Sequence, residues 1–328
     1  MSITITGGIS FSGGVGIVAP PLVATAGWFG GGRSPSKTSI VDRITYATDT
    51  ATASVRGPLS DSTLGVTGVG TFTYGWFGGG NNPAGPQSTV CRITYTTDTA
   101  TASVRGPLSS AKRYMGSAGN DNYGWFGGGL NIVSPQYLST VDRITYATDT
   151  DTASVRGPLS IGRSQLAASG NTINGWFGGG YSPSGPGSMS TVNRITYATD
   201  TDVASVRGPL SSTKYGLAAA GNTTDGWFGG GVNPALFPAS VLSRVDRITY
   251  STDTVTASVR GPLSVARFNL AASSNDTDAW FGGGYNSGAG GLQSTVDRIT
   301  FATDTATASV RGPLSLARER VGASSGIQ

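Results

Sequence analysis

The chain has 328 residues, 12% of them charged, and 22 Lys and Arg against 18 Asp and Glu leave a net charge of +4. That balance is too even for a nucleic-acid surface. Zero histidines exclude a His-held zinc or haem site and a His-dependent nucleophile, and the one cysteine, Cys91, excludes an intrachain disulfide. No run of 18 apolar residues is present, so no membrane insertion is expected.

Residues 1–21, "MSITITGGISFSGGVGIVAPP", lack a basic n-region and carry two Gly-Gly breaks, so they read as a mature N-terminus and not as a secretion signal. Their β alternation suggests an arm that adds a strand to a neighbouring subunit; a frayed end is the alternative. The arm is favoured because disordered tails are rarely this apolar and uncharged.

Residues 22–328 are a repeat. "GWFGGG" starts at Gly27, Gly75, Gly124, Gly175 and Gly226, and "AWFGGG" at Ala279. The tryptophans, Trp28, Trp76, Trp125, Trp176, Trp227 and Trp280, are spaced by 48, 49, 51, 51 and 53 residues. An "RIT" segment and an "RGPLS" segment recur six times in step with them. No 3.6-residue apolar period is found, and Thr, Val, Ile, Tyr and Gly dominate, which favours strands and turns. The fourth copy parses into strand a (Gln165–Gly170), strand b (Gly175–Gly179), strand c (Thr191–Ala198) and strand d (Val203–Gly208), an antiparallel meander joined by short polar turns.

Adjacent residues of a strand point to opposite faces, so Trp176 and Phe177 project from both sides of one sheet. Both faces must then be covered, which radial stacking of sheets achieves. The glycines after the rings let the neighbouring sheet approach closely. Strand a ("LAASG", "LAAAG", "MGSAG") is poor in bulk and suits a crowded axis. These features predict an all-β fold, a six-bladed β-propeller of four-stranded antiparallel blades. The final segment aligns with strand a of other copies but has no strand b after it, whereas the first copy starts near strand b. Val321–Ser325 is therefore expected to complete the blade of Trp28 and close the ring; an open solenoid is the competing architecture.

The repeat resembles kelch-repeat propellers across about residues 22–328. The aromatic strand ending in glycines, the following strand with an aromatic near its end, and a basic residue after strand d carry the likeness. That residue is Lys112 or Arg113, Arg163, Lys214, Arg267 and Arg318, with Thr63 in the first copy. The kelch proline–arginine pattern is only partly kept, since proline lies five residues earlier ("GPLSVAR"). WD40 signatures and the sialidase Asp-box are missing. The run "VDRITYATDTATASVRGPLS" is also similar to propellers of tailed bacteriophages, especially those infecting cyanobacteria, and "ITITGGISFSGG" to the starts of phage structural proteins. This second resemblance implies a virion structural or tail-associated protein, part of an extracellular particle, with residues 1–21 contacting other virion proteins in an oligomeric assembly.

An active site is not expected. Kelch-type copper oxidases need histidine, and "WFGGG" lacks the lysine and helix of a phosphate cradle. Cys91 replaces the aspartate of other copies and reads as a structural thiol. Six aspartates in the c–d turn (Asp49, Asp98, Asp149, Asp200, Asp253, Asp304) read as turn chemistry, with one carboxylate per site too few for Ca²⁺. The Asp42–Arg43 pairs and the arginines of "RGPLS" read as blade-to-blade structural pairs. No cofactor is expected.

Among the six copies, the b–c and d–a links vary while strands and c–d turns barely change. In a meander these links share one face. That face is expected to be basic and aromatic, carrying Arg33, Lys37, Arg113, Tyr137, Tyr181, Lys214, Phe237, Arg244 and Tyr285 as ligand-binding candidates, with Lys112, Arg163, Arg267, Arg318 and Arg320 beside them. The opposite face is expected to be acidic, with Asp121, Asp151, Asp202, Asp225, Asp276 and Asp278. Aromatics with Arg and Lys suit a host-surface glycan, an anionic polysaccharide or another virion subunit. The alternatives are purely architectural decoration without a ligand, and glycan cleavage by paired carboxylates. Against cleavage, the variable face has few acids, essentially Asp61 and Glu319, on different blades.

Overall fold

The computed structural model describes residues 23–134, 136–236, 240–288 and 290–326. The N-terminal arm therefore lies outside the described residues. Six four-stranded antiparallel sheets stand around an axis. In the fourth, strand a is Ala167–Gly170, b is Asn174–Gly178, c is Val192–Thr196 and d is Ser205–Arg207. Registers are Ser169↔Trp176, Trp176↔Arg194 and Arg194↔Ser205. Strand c is shorter than the sequence suggests because Tyr197–Thr199 turns into a 3₁₀ segment. Strand b stops one residue early because Gly179 takes a φ of +68°.

The a strands of adjacent blades neighbour one another, so strand a is innermost, as its small residues require. The first blade is built from both ends of the described chain. Gly322–Ser325 pairs with Ala26–Gly30, Trp28 facing Ser324. The ring closes as expected, and no inner strand precedes Trp28 among the described residues.

Tryptophan and phenylalanine leave opposite faces of strand b, and both are buried: the six Trp are 0–6% exposed, the six Phe 0–1%. Each interblade space is its own apolar core. Between the second and third blades, Trp76, Val90, Leu108 and Met115 meet Phe126, Ile144 and Ala153. Removing such rings from water is worth roughly 1.5–3 kcal/mol each. The first glycine after the rings makes this packing possible. A Cβ on Gly78 would lie 2.8 Å from the Phe126 ring, and one on Gly127 2.8 Å from Phe177.

Candidate functional site

The c–d aspartates are not simple turn residues. Each tryptophan of one blade donates its indole N–H to the aspartate of the next, at 2.8–2.9 Å: Trp28 to Asp98, Trp76 to Asp149, Trp125 to Asp200, Trp176 to Asp253, Trp227 to Asp304 and Trp280 to Asp49. The same carboxylate oxygen takes two guanidinium contacts from the donor blade. For Asp98 these are Arg43 Nη1 at 3.1 Å and Arg56 Nε at 3.5 Å. The residue three before the aspartate stacks on the indole: Tyr95 on Trp28, with centroids 3.7 Å apart and planes at 6°. Tyr46, Tyr146, Tyr197, Tyr250 and Phe301 do likewise. "Tyr-x-Thr-Asp" thus supplies a stacking ring and an acceptor to the blade before it. The expected blade-to-blade role of the arginines holds, but Asp42 and Arg43 serve different partners. Burial holds the phenols of Tyr46, Tyr95, Tyr146, Tyr197 and Tyr250 above their ordinary value of 10.0.

The basic residues after strand d correct the expected face. Lys214, a ligand-binding candidate, is fully buried, and its Nζ is 3.0 Å from Asp246. Lys112, Arg267 and Arg318 are equally buried against Asp142, Asp297 and Asp42, at 2.8–3.1 Å. They fasten the d–a link to strand c of the blade it enters. Burial lowers both lysines below 10.5, outweighing the upward pull of the aspartates. Two copies lack the charge pair. Thr63 faces a blade whose aspartate position is Cys91, whose thiol burial raises. Arg163, also fully buried, enters a blade with Asn193 at that position; it donates to Phe177 O at 3.0 Å, and burial lowers it to about 10.

With those bases removed, the variable face is smaller than the sequence suggests and more ordered. In five copies the b–c link is a two-stranded ribbon, such as Tyr181–Ser182 with Gly187–Ser188. Single β-bridges, including Ser164↔Tyr181, Tyr215↔Val232 and Phe268↔Tyr285, fix these links to the neighbouring d–a link. Half-buried Tyr137, Tyr181 and Tyr215 form a ladder, with centroids 5.9 Å apart for the first pair and 5.7 Å for the second. Tyr285 pairs edge-on with Phe268 at 5.7 Å. Arg33 is held by Glu319 at 2.5 Å, Lys37 donates to Asn82 O, and Arg244 is exposed. Phe237 lies outside the described residues.

At the axis this face holds a ring that sequence reasoning missed. Gly65, Tyr114, Gln165, Gly216, Asn269 and Arg320, one per d–a link, all have φ between +55° and +68°. Their backbones form a closed belt in which each N–H donates to the preceding member's carbonyl, Tyr114 N to Gly65 O and finally Gly65 N to Arg320 O, at 2.6–2.8 Å. A left-handed backbone costs a non-glycine residue about 1–2 kcal/mol. Four of the six positions nevertheless carry long side chains, and these gather over the mouth of the channel. Gln165 Nε2 donates to Asn269 Oδ1 at 3.3 Å, and Asn269 Nδ2 to Glu319 Oε2 at 2.9 Å. Arg113 and Arg320 both approach the Tyr114 ring, at 5.1 and 5.5 Å.

The molecule is thus a six-bladed β-propeller with a repetitive frame and one individualised face. No protein-family model matches the chain, and no curated protein sequence matches it. Its fold is similar to the solved structure of YjhT, with a TM-score of 0.69 over 88% of this chain and 95% of that one. At 12% identity the likeness concerns the fold alone. Among the described residues, no group of three or more Cys, His, Asp or Glu side chains is placed to hold a metal ion.

Proposed function

We propose that the protein is a non-enzymatic recognition propeller of a phage particle, tail-associated, that binds a host-surface glycan through its variable face. The observation that carries the glycan reading is the tyrosine ladder. Tyr137, Tyr181 and Tyr215 come from three separate links, yet stand in one half-buried run on the face where the copies differ most. Half-covered rings held by backbone bridges offer flat apolar surface with a polar tip, which suits the apolar face of a pyranose. The particle assignment rests on the likeness of the repeated run to phage propellers. The six valines of the rim, Val55, Val104, Val155, Val206, Val259 and Val310, are 54–61% exposed and favour, as a second reading, lateral packing in an assembly.

A glycan array probed with the wild-type chain and with Tyr181→Ala, the middle rung, tests the reading. Signal should appear for a subset of glycans and fall about tenfold in the variant, the equivalent of roughly 1.4 kcal/mol. Equal signal from both proteins would remove the ladder from recognition.

A further inference from the structure

We propose that the axial mouth of the variable face binds a compact oxyanion, a carboxylate or phosphate, between Arg113 and Arg320 beside Tyr114. The site stands apart from the tyrosine ladder and does not depend on it. Its first support is the belt itself. Six equivalent positions share one backbone conformation that glycine fills at no cost, and only Gly65 and Gly216 use it. The other four keep side chains against that penalty, and strain of this kind gathers where a site is held in shape. The two glycines are where neighbours lean in: a Cβ on Gly65 would lie 2.4 Å from the Tyr114 ring, and one on Gly216 3.0 Å from Asn269 Oδ1.

The second support is charge. Arg33, Lys37, Arg113 and Arg320 gather in this sector, and among the described residues Glu319 and Asp61 are the acids that answer them. Glu319 is buried and occupied by Arg33 at 2.5 Å and Asn269 at 2.9 Å, while Arg320 Nε stands off at 3.7 Å. Among the described residues, no carboxylate lies within 4 Å of Arg113. Desolvation and then the Arg113 guanidinium hold Lys37 below its ordinary value, with Asp61 pulling the other way. Beneath the mouth lies about 120 Å³ of space walled by Thr67, Ser117, Ala168, Ala219, Ala272 and Ala323. A guanidinium offers paired donors matched to an oxyanion, and two of them on one ring fix its place.

The test is a calorimetric titration with inorganic phosphate and, separately, acetate, at ionic strength held constant with sodium chloride. The proteins are the full chain, Arg113→Gln, Arg320→Gln, the exposed control Arg244→Gln, and Tyr181→Ala. Saturable binding of at least one anion is expected, weakened at least tenfold in Arg113→Gln and Arg320→Gln and unchanged in the other two. Both arginines are partly exposed, and matching thermal melts will show that the variants fold. No saturable binding of either anion, or equal binding by all five proteins, overturns the site. Loss in Arg244→Gln as well would mean a diffuse face charge and would equally overturn it.

Discussion

Two polar junctions bind each blade to its surroundings, and they tolerate change differently. The clamp of indole, two guanidiniums and aspartate is chemically the same in all six copies, with indole-to-carboxylate distances of 2.8–2.9 Å. The buried link between the d–a segment and strand c exists in three versions. Four copies have a base and an aspartate, one has Arg163 and Asn193, and one has Thr63 and Cys91. The difference follows from which groups share the acceptor. One clamp aspartate accepts from an indole and a guanidinium of another blade and pairs with a second guanidinium 3.4–3.6 Å away, so no single exchange leaves the remaining groups satisfied. The link acceptor also serves the serine of the RGPLS segment, Ser264 N and Oγ donating to Asp297 at 3.1 and 2.6 Å, and Asn193 keeps that bond to Ser160 Oγ at 3.1 Å. With that anchor kept, the base can change, and the neutral Thr63 and Cys91 can replace a buried ion pair because desolvation largely offsets the attraction.

Base should act on the two junctions with opposite sign, and this is the largest effect expected. The five stacked phenols stay neutral in the folded chain, while those of the unfolded chain ionise above pH 10.0. Stability therefore falls beyond that point, by up to about 1.4 kcal/mol per pH unit for each phenol. Lys112 and Lys214, lowered when folded, work the other way: their penalty is present at neutral pH and disappears as pH rises to 10.5. Denaturation midpoints followed from about pH 8 to 12 should hold or rise slightly and then drop, with phenolate absorbance appearing together with unfolding. Phenolate that develops in the folded protein would break the account of the clamp.

Next in size, Asp98→Ala leaves the Trp28 indole and Arg43 without their acceptor and Arg56 without its counter-charge. A loss of about 3–5 kcal/mol is expected in guanidinium denaturation; a loss below about 1 kcal/mol would put the clamp on a level with exposed ion pairs. Smallest is a gain. Asn193→Asp gives Arg163 the carboxylate that the corresponding bases have, and should stabilise the chain by about 1–3 kcal/mol. A destabilised variant would show that the link around Arg163 is built for a neutral neighbour.

The propeller was legible because the alternation of Trp and Phe, the glycines and the complementary chain ends all express one physical demand, cover on both faces of every sheet. The clamp was half legible: its residues repeat visibly, but their partners are about seventy residues away. Lys214 was misplaced because a base in a variable link looks solvated. The signal against that reading lies within the copies, where Thr63, the one neutral residue at the base position, accompanies Cys91, the one thiol at the aspartate position. The axial belt left no mark, since Gly, Tyr, Gln, Gly, Asn and Arg have nothing in common except the backbone angle imposed on them.

The pairing of Gly322–Ser325 with Ala26–Gly30 has a consequence for biosynthesis. The sheet whose central strands are translated first is the last to be finished, since its axial member leaves the ribosome after every other blade. Until then the nascent disc is an incomplete circle with two unsatisfied borders, each able to recruit another molecule. A stop codon in the final repeat would make that state permanent, and aggregation is its natural outcome.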